Sequence, residues 1–289
     1  MPFVMALLSS MLYGVADFLG GMGSRRGPAV TVTAWFQIVG LACLVVYALV
    51  APGATRLADL AWAAGSGVAG GLGVLLLYRV LASGTVSTAA PLVSMIALTV
   101  PVAAGLAGGE RPGLLPLLGV AAGAVAVVLI AAHGEAGEGA SGAVRTEPRR
   151  PRTTAVELLP AVASGVLIGL FLVCLGRVER GASGWPLVAG RGAATVTLFA
   201  MLFASRAVVV PPAATRPFIA GAALTDVSAN VLYLLAVQRA PMSLIATLVS
   251  LAPATTVVLA QVVLRERLGT AQKLGVVVAL VAVVLLAQG

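Results

Sequence analysis

The sequence predicts an all-α polytopic membrane protein, with ten transmembrane helices arranged as two inverted five-helix repeats. Composition is the first reason: hydrophobic residues make up 60%, charged residues 10%, and mean hydropathy is +1.07, whereas a soluble domain carries about 25% charge. The second is a series of ten apolar runs near 3–22, 30–51, 59–80, 86–107, 113–132, 156–176, 185–205, 217–237, 242–263 and 269–288, each about 20 residues long and able to cross a hydrocarbon layer of roughly 30 Å. The third is self-similarity. Ala90-Pro91-Leu92-Val93-Ser94 and Glu110-Arg111-Pro112-Gly113 recur 156 residues later as Ala246-Thr247-Leu248-Val249-Ser250 and Glu266-Arg267-Leu268-Gly269. At that offset 12 of the 24 residues from Glu110 to His133 are identical to Glu266 through Gly289. Apolar stretches match partly by chance, so the Ser, Glu, Arg and Gly pairs decide for duplication.

The runs are continuously apolar and do not alternate every second residue, so helices rather than a barrel satisfy their backbones. Span 1 has no basic segment before it and runs straight into Gly20-Gly21, which reads as a retained span, not a signal peptide. It carries Asp17, and span 2 carries Gln37. Span 3 is smooth, with Gly67, Gly70, Gly71 and Gly73 ahead of Tyr78; small residues at that spacing suit close helix packing. Span 4 holds Pro91 and Ser94, and Glu110 stands in the turn after it. Residues 134–154 mix Gly, Pro, Glu and Arg and bury too little to fold alone, so they are the linker. The first repeat is then 1–133 and the second 155–289. In the second, span 7 carries Arg191, span 8 carries Asp226, Asn230 and Tyr233, and span 9 carries Ser250, Pro253 and Gln261, with Glu266 beyond. Five spans per half is an odd number, so the second half enters the membrane opposite to the first.

Several functions are disfavoured. The net charge of +8 sits in short loops and the linker, where lipid headgroups and topology account for it better than a nucleic acid does. Cys43 and Cys174 lie within spans and His133 is alone, so no metal site, cofactor or disulfide is expected. There is no Gly-x-x-x-x-Gly-Lys loop to hold ATP. No His/Asp/Ser constellation suggests an enzyme, and a channel needs rings of carbonyls or charges in a symmetric assembly.

Two five-span halves, each with a Ser- and Pro-bearing fourth span leading into Glu-Arg-x-Gly and a Gly-containing fifth span, resemble the EamA group of the drug/metabolite transporter superfamily. The resemblance covers essentially the whole chain. It is best over 226–286, through Asn230-Val231-Leu232-Tyr233, Ala246 to Pro253 and Glu266-Arg267-Leu268-Gly269. The first half diverges, with Ala97 where Pro253 would align and Pro101 four residues later. The resemblance implies an exporter or exchanger of small metabolites such as amino acids, amines or drugs, multi-pass in the plasma membrane of a bacterium, with a small-molecule substrate and the lipid bilayer as partners. A lipid or lipid-linked-sugar flippase of the same architecture is the alternative. Twelve Arg and Lys in the odd-numbered loops against five in the even ones place both termini outside, while family members are often drawn with both in the cytoplasm. The orientation stays open, as does the choice between monomer and homodimer.

Polar groups inside spans are costly and mark routes for cargo or ions. The expected substrate-binding set is therefore Asp226, Asn230, Tyr233, Arg191, Asp17, Gln37, Tyr78, Ser94 and Ser250. Asp226, Asn230 and Tyr233 fall at i, i+4 and i+7 on one face of span 8. Asp226 is the candidate for proton coupling; the structural alternative is a pair with Arg191. Arg191 aligns with Gln37 and needs an anionic partner in the protein or the cargo. Pro91 and Pro253 are expected to interrupt spans 4 and 9 as hinges. Glu110 and Glu266 are assigned to gating, capping the helix that follows each or pairing with Arg in the turn.

Overall fold

The computed structural model describes residues 1–51, 53–82, 86–131, 155–179, 181–206, 209–264 and 270–286, and among them it is all helical apart from one isolated bridge between Ala54 and Ala182. The helices are α1 (Pro2–Ser24), α2 (Ala29–Val50), α3 (Leu57–Ala82), α4 (Val86–Ala107), α5 (Leu114–Ala131), α6 (Ala155–Gly176), α7 (Trp185–Ala204), α8 (Arg216–Val237), α9 (Met242–Val249), α10 (Ala252–Leu264) and α11 (Thr270–Leu286). Among the described residues, six segments are long and apolar enough to cross a bilayer: Pro2–Ser24, Ala29–Val50, Leu57–Val80, Leu159–Gly176, Trp185–Ala204 and Ala213–Val237. The protein is thus a polytopic membrane protein. Large apolar side chains such as Val46, Leu49, Val196, Leu280 and Val284 point outward, as a surface bathed in acyl chains allows.

Helix packing repeats when the halves are exchanged. α1 packs on α8 as α3 packs on α6; α2 packs on α8 as α3 packs on α7; α1 meets α9 and α10 as α4 meets α6. The pairs α2–α7 and α5–α11 map onto themselves. Single hydrogen bonds repeat too. Ser9 Oγ donates to the Ala229 carbonyl at 2.8 Å, and Ser164 Oγ donates to the Gly73 carbonyl at 2.8 Å. Ser9 and Ser164 occupy equivalent places in the two halves, as do Gly73 and Ala229.

Close approach of α3 and α7 depends on missing side chains. A Cβ on Gly67 would stand 1.7 Å from the Gly190 carbonyl oxygen, and one on Gly190 would stand 2.6 Å from that of Ala63. Gly70 and Gly73 pack against Phe171 and Ile168 of α6. Span 3 is a packing surface, as its glycines suggest.

The two expected proline hinges differ. α4 is one continuous helix through Pro91, which corrects the expectation of an interruption there. Pro91 lies in the second turn of α4, where a residue without an N–H forgoes one backbone bond near the helix start. Span 9 does break, at Ser250-Leu251, and Pro253 becomes the second residue of α10. The side chains of Pro91, Ser94 and Pro253 lie outside the described residues, and so does Glu266 with its turn.

One end of the bundle is laced across the halves. Arg56 pairs with Glu179, Asp59 Oδ1 accepts from the Glu179 N–H at 2.9 Å, and Gln238 Nε2 donates to the Glu179 carbonyl at 2.9 Å. Thr55 and Ser183 share a hydroxyl–hydroxyl bond of 2.5 Å beside the Ala54–Ala182 bridge. Glu110 joins this end as well. Its Oε1 and Oε2 accept from the N–H groups of Met242 and Ser243 at 2.6 and 3.0 Å. Pro241 at the N-cap of α9 offers no side-chain acceptor, so the carboxylate arrives from the other half. This corrects the expectation that Glu110 caps the helix after it, α5; Gly105 leaves the room, since a Cβ there would stand 2.4 Å from Glu110 Oε2. Carboxylates at a helix N-terminus satisfy free N–H groups and oppose the dipole. Glu110→Ala should therefore lower stability by about 2 kcal/mol, read as an earlier unfolding midpoint in detergent, with Glu110→Gln losing less.

Candidate functional site

Arg191 is the hub of the interior. It sits in the second turn of α7, and its side chain is only 8% exposed. One guanidinium nitrogen donates to Gln37 Oε1 of α2 and another to Asp226 Oδ2 of α8. The group lies 5.2 Å from the Phe36 ring centroid. It also rests on Gly40, where a Cβ would stand 3.0 Å from its carbon. A guanidinium suits this place because its planar fork serves two acceptors and a ring at once. Gln37 and Arg191 are equivalent residues of the two halves, so the bond between them lies where the packing exchanges into itself.

Asp226 is held through Oδ2. Besides Arg191 it accepts from Asn230 Nδ2 at 2.9 Å, and the same amide donates to the Asp226 carbonyl at 2.7 Å. The i, i+4 spacing places this pair on one face of α8. Tyr233, three residues on, is engaged elsewhere: fully buried, it donates through Oη to the Leu172 carbonyl of α6 at 2.8 Å. Tyr78, its counterpart in α3, is 1% exposed and abuts α1 at Gly20, where a Cβ would stand 1.9 Å from its Oη. Ser250 donates back to the Ala246 carbonyl at 2.8 Å, the usual bond of a helical serine.

Asp17 of α1 lies within electrostatic reach of Asp226, and Tyr78 within reach of both carboxylates. Tyr13, one turn before Asp17, lies within electrostatic reach of Asp226, Tyr233, Arg191 and Asp17, in falling order of influence. The structure therefore brings Asp17, Gln37, Tyr78, Arg191, Asp226 and Asn230 into one interior cluster, and leaves Tyr233 and Ser250 on backbone carbonyls. Sequence reasoning missed Tyr13 and Phe36. The signal for Tyr13 was its i, i+4 relation to Asp17; Phe36 had none beyond its place beside Gln37.

A family model described as the EamA-like transporter family matches residues 1–132 and 154–288. The chain belongs to the EamA-like transporter family. This EamA-like protein is a multi-pass membrane transporter of the drug/metabolite type, and its partners are a small-molecule substrate and the lipid bilayer. A solved structure described as "Crystal structure of protein" is similar to it, with TM-score 0.71 at 18% identity over 98% of this chain and 95% of that one. That likeness is one of fold. No curated protein sequence matches the chain.

Proposed function

We propose that this EamA-like protein is a secondary active transporter that exports or exchanges small metabolites such as amino acids, amines or drugs, by alternating access about a mid-membrane centre. Its ten spans form two inverted five-helix repeats, residues 1–133 and 155–289, joined by the linker 134–154, in the plasma membrane of a bacterium. One observation carries the reading: a buried arginine bridges the halves at their exchange point, bonded to its own counterpart Gln37 and to Asp226. A charged cluster at depth is expensive to keep and marks the route that cargo or ions take. The repeated packing supports two bodies that rock about that point, and cargo that binds the two end states unequally drives the cycle. The bond to a permanent cation suits Asp226 as a fixed charge that orients Arg191. The proton-exchanging role expected of Asp226 fits better on a carboxylate without such a partner.

Counterflow in vesicles tests this. Purified protein in liposomes loaded with a mixture of amino acids and amines should take up labelled members of that mixture saturably, and Asp226→Asn should lose the flux. Absence of any soluble flux, together with inversion of fluorescent phospholipid, would replace the reading with a flippase.

A further inference from the structure

Two carboxylates, Asp17 and Asp226, lie within electrostatic reach of each other, and the buried guanidinium pairs with only one of them. Arg191 takes Asp226. Asp17 makes no hydrogen bond or ion pair among the described residues. It stands in a stripe along α1. Residues 13, 17, 20 and 24 follow at steps of four, three and four and so share one helical face. Tyr13 Oη and Ser24 Oγ on that face are buried, and neither has a hydrogen-bond partner among the described residues. Gly20 admits the tip of Tyr78 from α3.

A charged carboxylate at this depth must be neutralised or paired, and the fixed cation of the cluster is already committed. Its partner is therefore a mobile one. A lone carboxylate one helical turn from a buried phenol oxygen without a partner among the described residues, with the tip of Tyr78 against Gly20 on the same face, has the chemistry that receives an ammonium group: ion pair, hydrogen bond and ring contact together. We infer that Asp17 anchors the cationic amine of the cargo, with Tyr13 as second acceptor, while the Arg191–Asp226 pair stays in place as a frame. The cargo is thus an amine or an amino compound. This rests on the transporter reading above and names its substrate class.

A proton competes for the same carboxylate. The groups that face it are Asp226 from α8, Tyr78 from α3 and Tyr13 from α1 itself. α2, α9 and α10, which also pack on α1, carry no charged residue. Amine binding should therefore weaken as pH falls, and this dependence should vanish in Asp17→Asn.

The test is ligand-induced thermal stabilisation of detergent-purified full-length protein, with phenethylamine, putrescine and tetraethylammonium as probes and phenethyl alcohol and 3-phenylpropionate as neutral and anionic controls. At least one amine should raise the melting midpoint, and the controls should not. Asp17→Asn should lose the shift, and Tyr13→Phe should weaken binding by about tenfold or less. Equal stabilisation by the alcohol, unchanged binding in Asp17→Asn, or no shift with any of the three amines would overturn the assignment. If Asp17→Asn fails to fold, Tyr13→Phe and the pH dependence of the wild type decide instead. Binding in detergent needs no transport cycle, so the two readings fail separately. Amine binding at Asp17 without flux would remove the transporter, and saturable flux indifferent to Asp17→Asn would remove the anchor.

Discussion

Arg191→Ala lowers the stability of the protein by about 3–5 kcal/mol, the cost of leaving one member of a buried ion pair without its partner. Asp226 would keep only the Asn230 amide, and Gln37 Oε1 would lose its donor. The guanidinium also fills the space over Gly40 and against Phe36, so truncation adds a void to an unpaired charge. Denaturant titration in detergent measures the loss. The double variant Arg191→Ala/Asp226→Ala should recover part of it, because removing both partners leaves a hole but no stranded charge. A double variant as unstable as the sum of the two singles would mean that the pair is not coupled in the folded protein.

Gly67→Val is expected to cost about 3 kcal/mol, at the upper end of overpacking. The obstacle is backbone, not a side chain that can rotate away: the new Cβ would meet the Gly190 carbonyl oxygen at 1.7 Å, and α7 could relieve it only by withdrawing from α3. Withdrawal of α7 would also carry Arg191 off Asp226, so flux should fall with stability. The same chain supplies its controls. Gly65 and Gly192 lie in the same two helices with nothing within 4 Å of a would-be Cβ. Gly65→Ala and Gly192→Ala should be neutral, or stabilising by up to about 1 kcal/mol through helix propensity. Melting curves of the three variants, measured side by side, check the contrast. Equal behaviour would mean that α3 and α7 do not approach as described.

Helix class was legible because hydrocarbon imposes one rule on every residue of a span, and a run of about 20 apolar residues satisfies it visibly. The Arg191–Gln37–Asp226 cluster was legible for the opposite reason. A guanidinium or carboxylate among valines and leucines stands out, and the repeat offset set Arg191 opposite Gln37. The sequence also offered the Arg191–Asp226 pair as the structural alternative, and the geometry realises it. Three features were hidden. Pro91 and Pro253 look alike in one dimension, yet only Pro253 accompanies a break, because its place at the start of α10 suits a residue without an N–H. Glu110 reads as a local cap, but the N–H groups that most lack an acceptor belong to α9, 132 residues away. Tyr13 looks like an ordinary apolar-face tyrosine until α8 and the Arg191 guanidinium of α7 are set within reach of it. Long-range choices of this kind depend on which helices meet, and no local pattern encodes that.

The duplicated hydrogen bonds and exchanged packing describe two near-equal scaffolds, but the arginine and its carboxylate belong to the second alone. Where α7 and α8 hold Arg191 and Asp226, the first half offers Gln37 and a glycine-lined α3. In the alternating-access cycle proposed above, an unequal pair of halves has no reason to weigh its two extreme postures the same. In that cycle the resting posture depends on which copy holds the Arg191–Asp226 pair, while the gradients of cargo and ions set the direction of net flux.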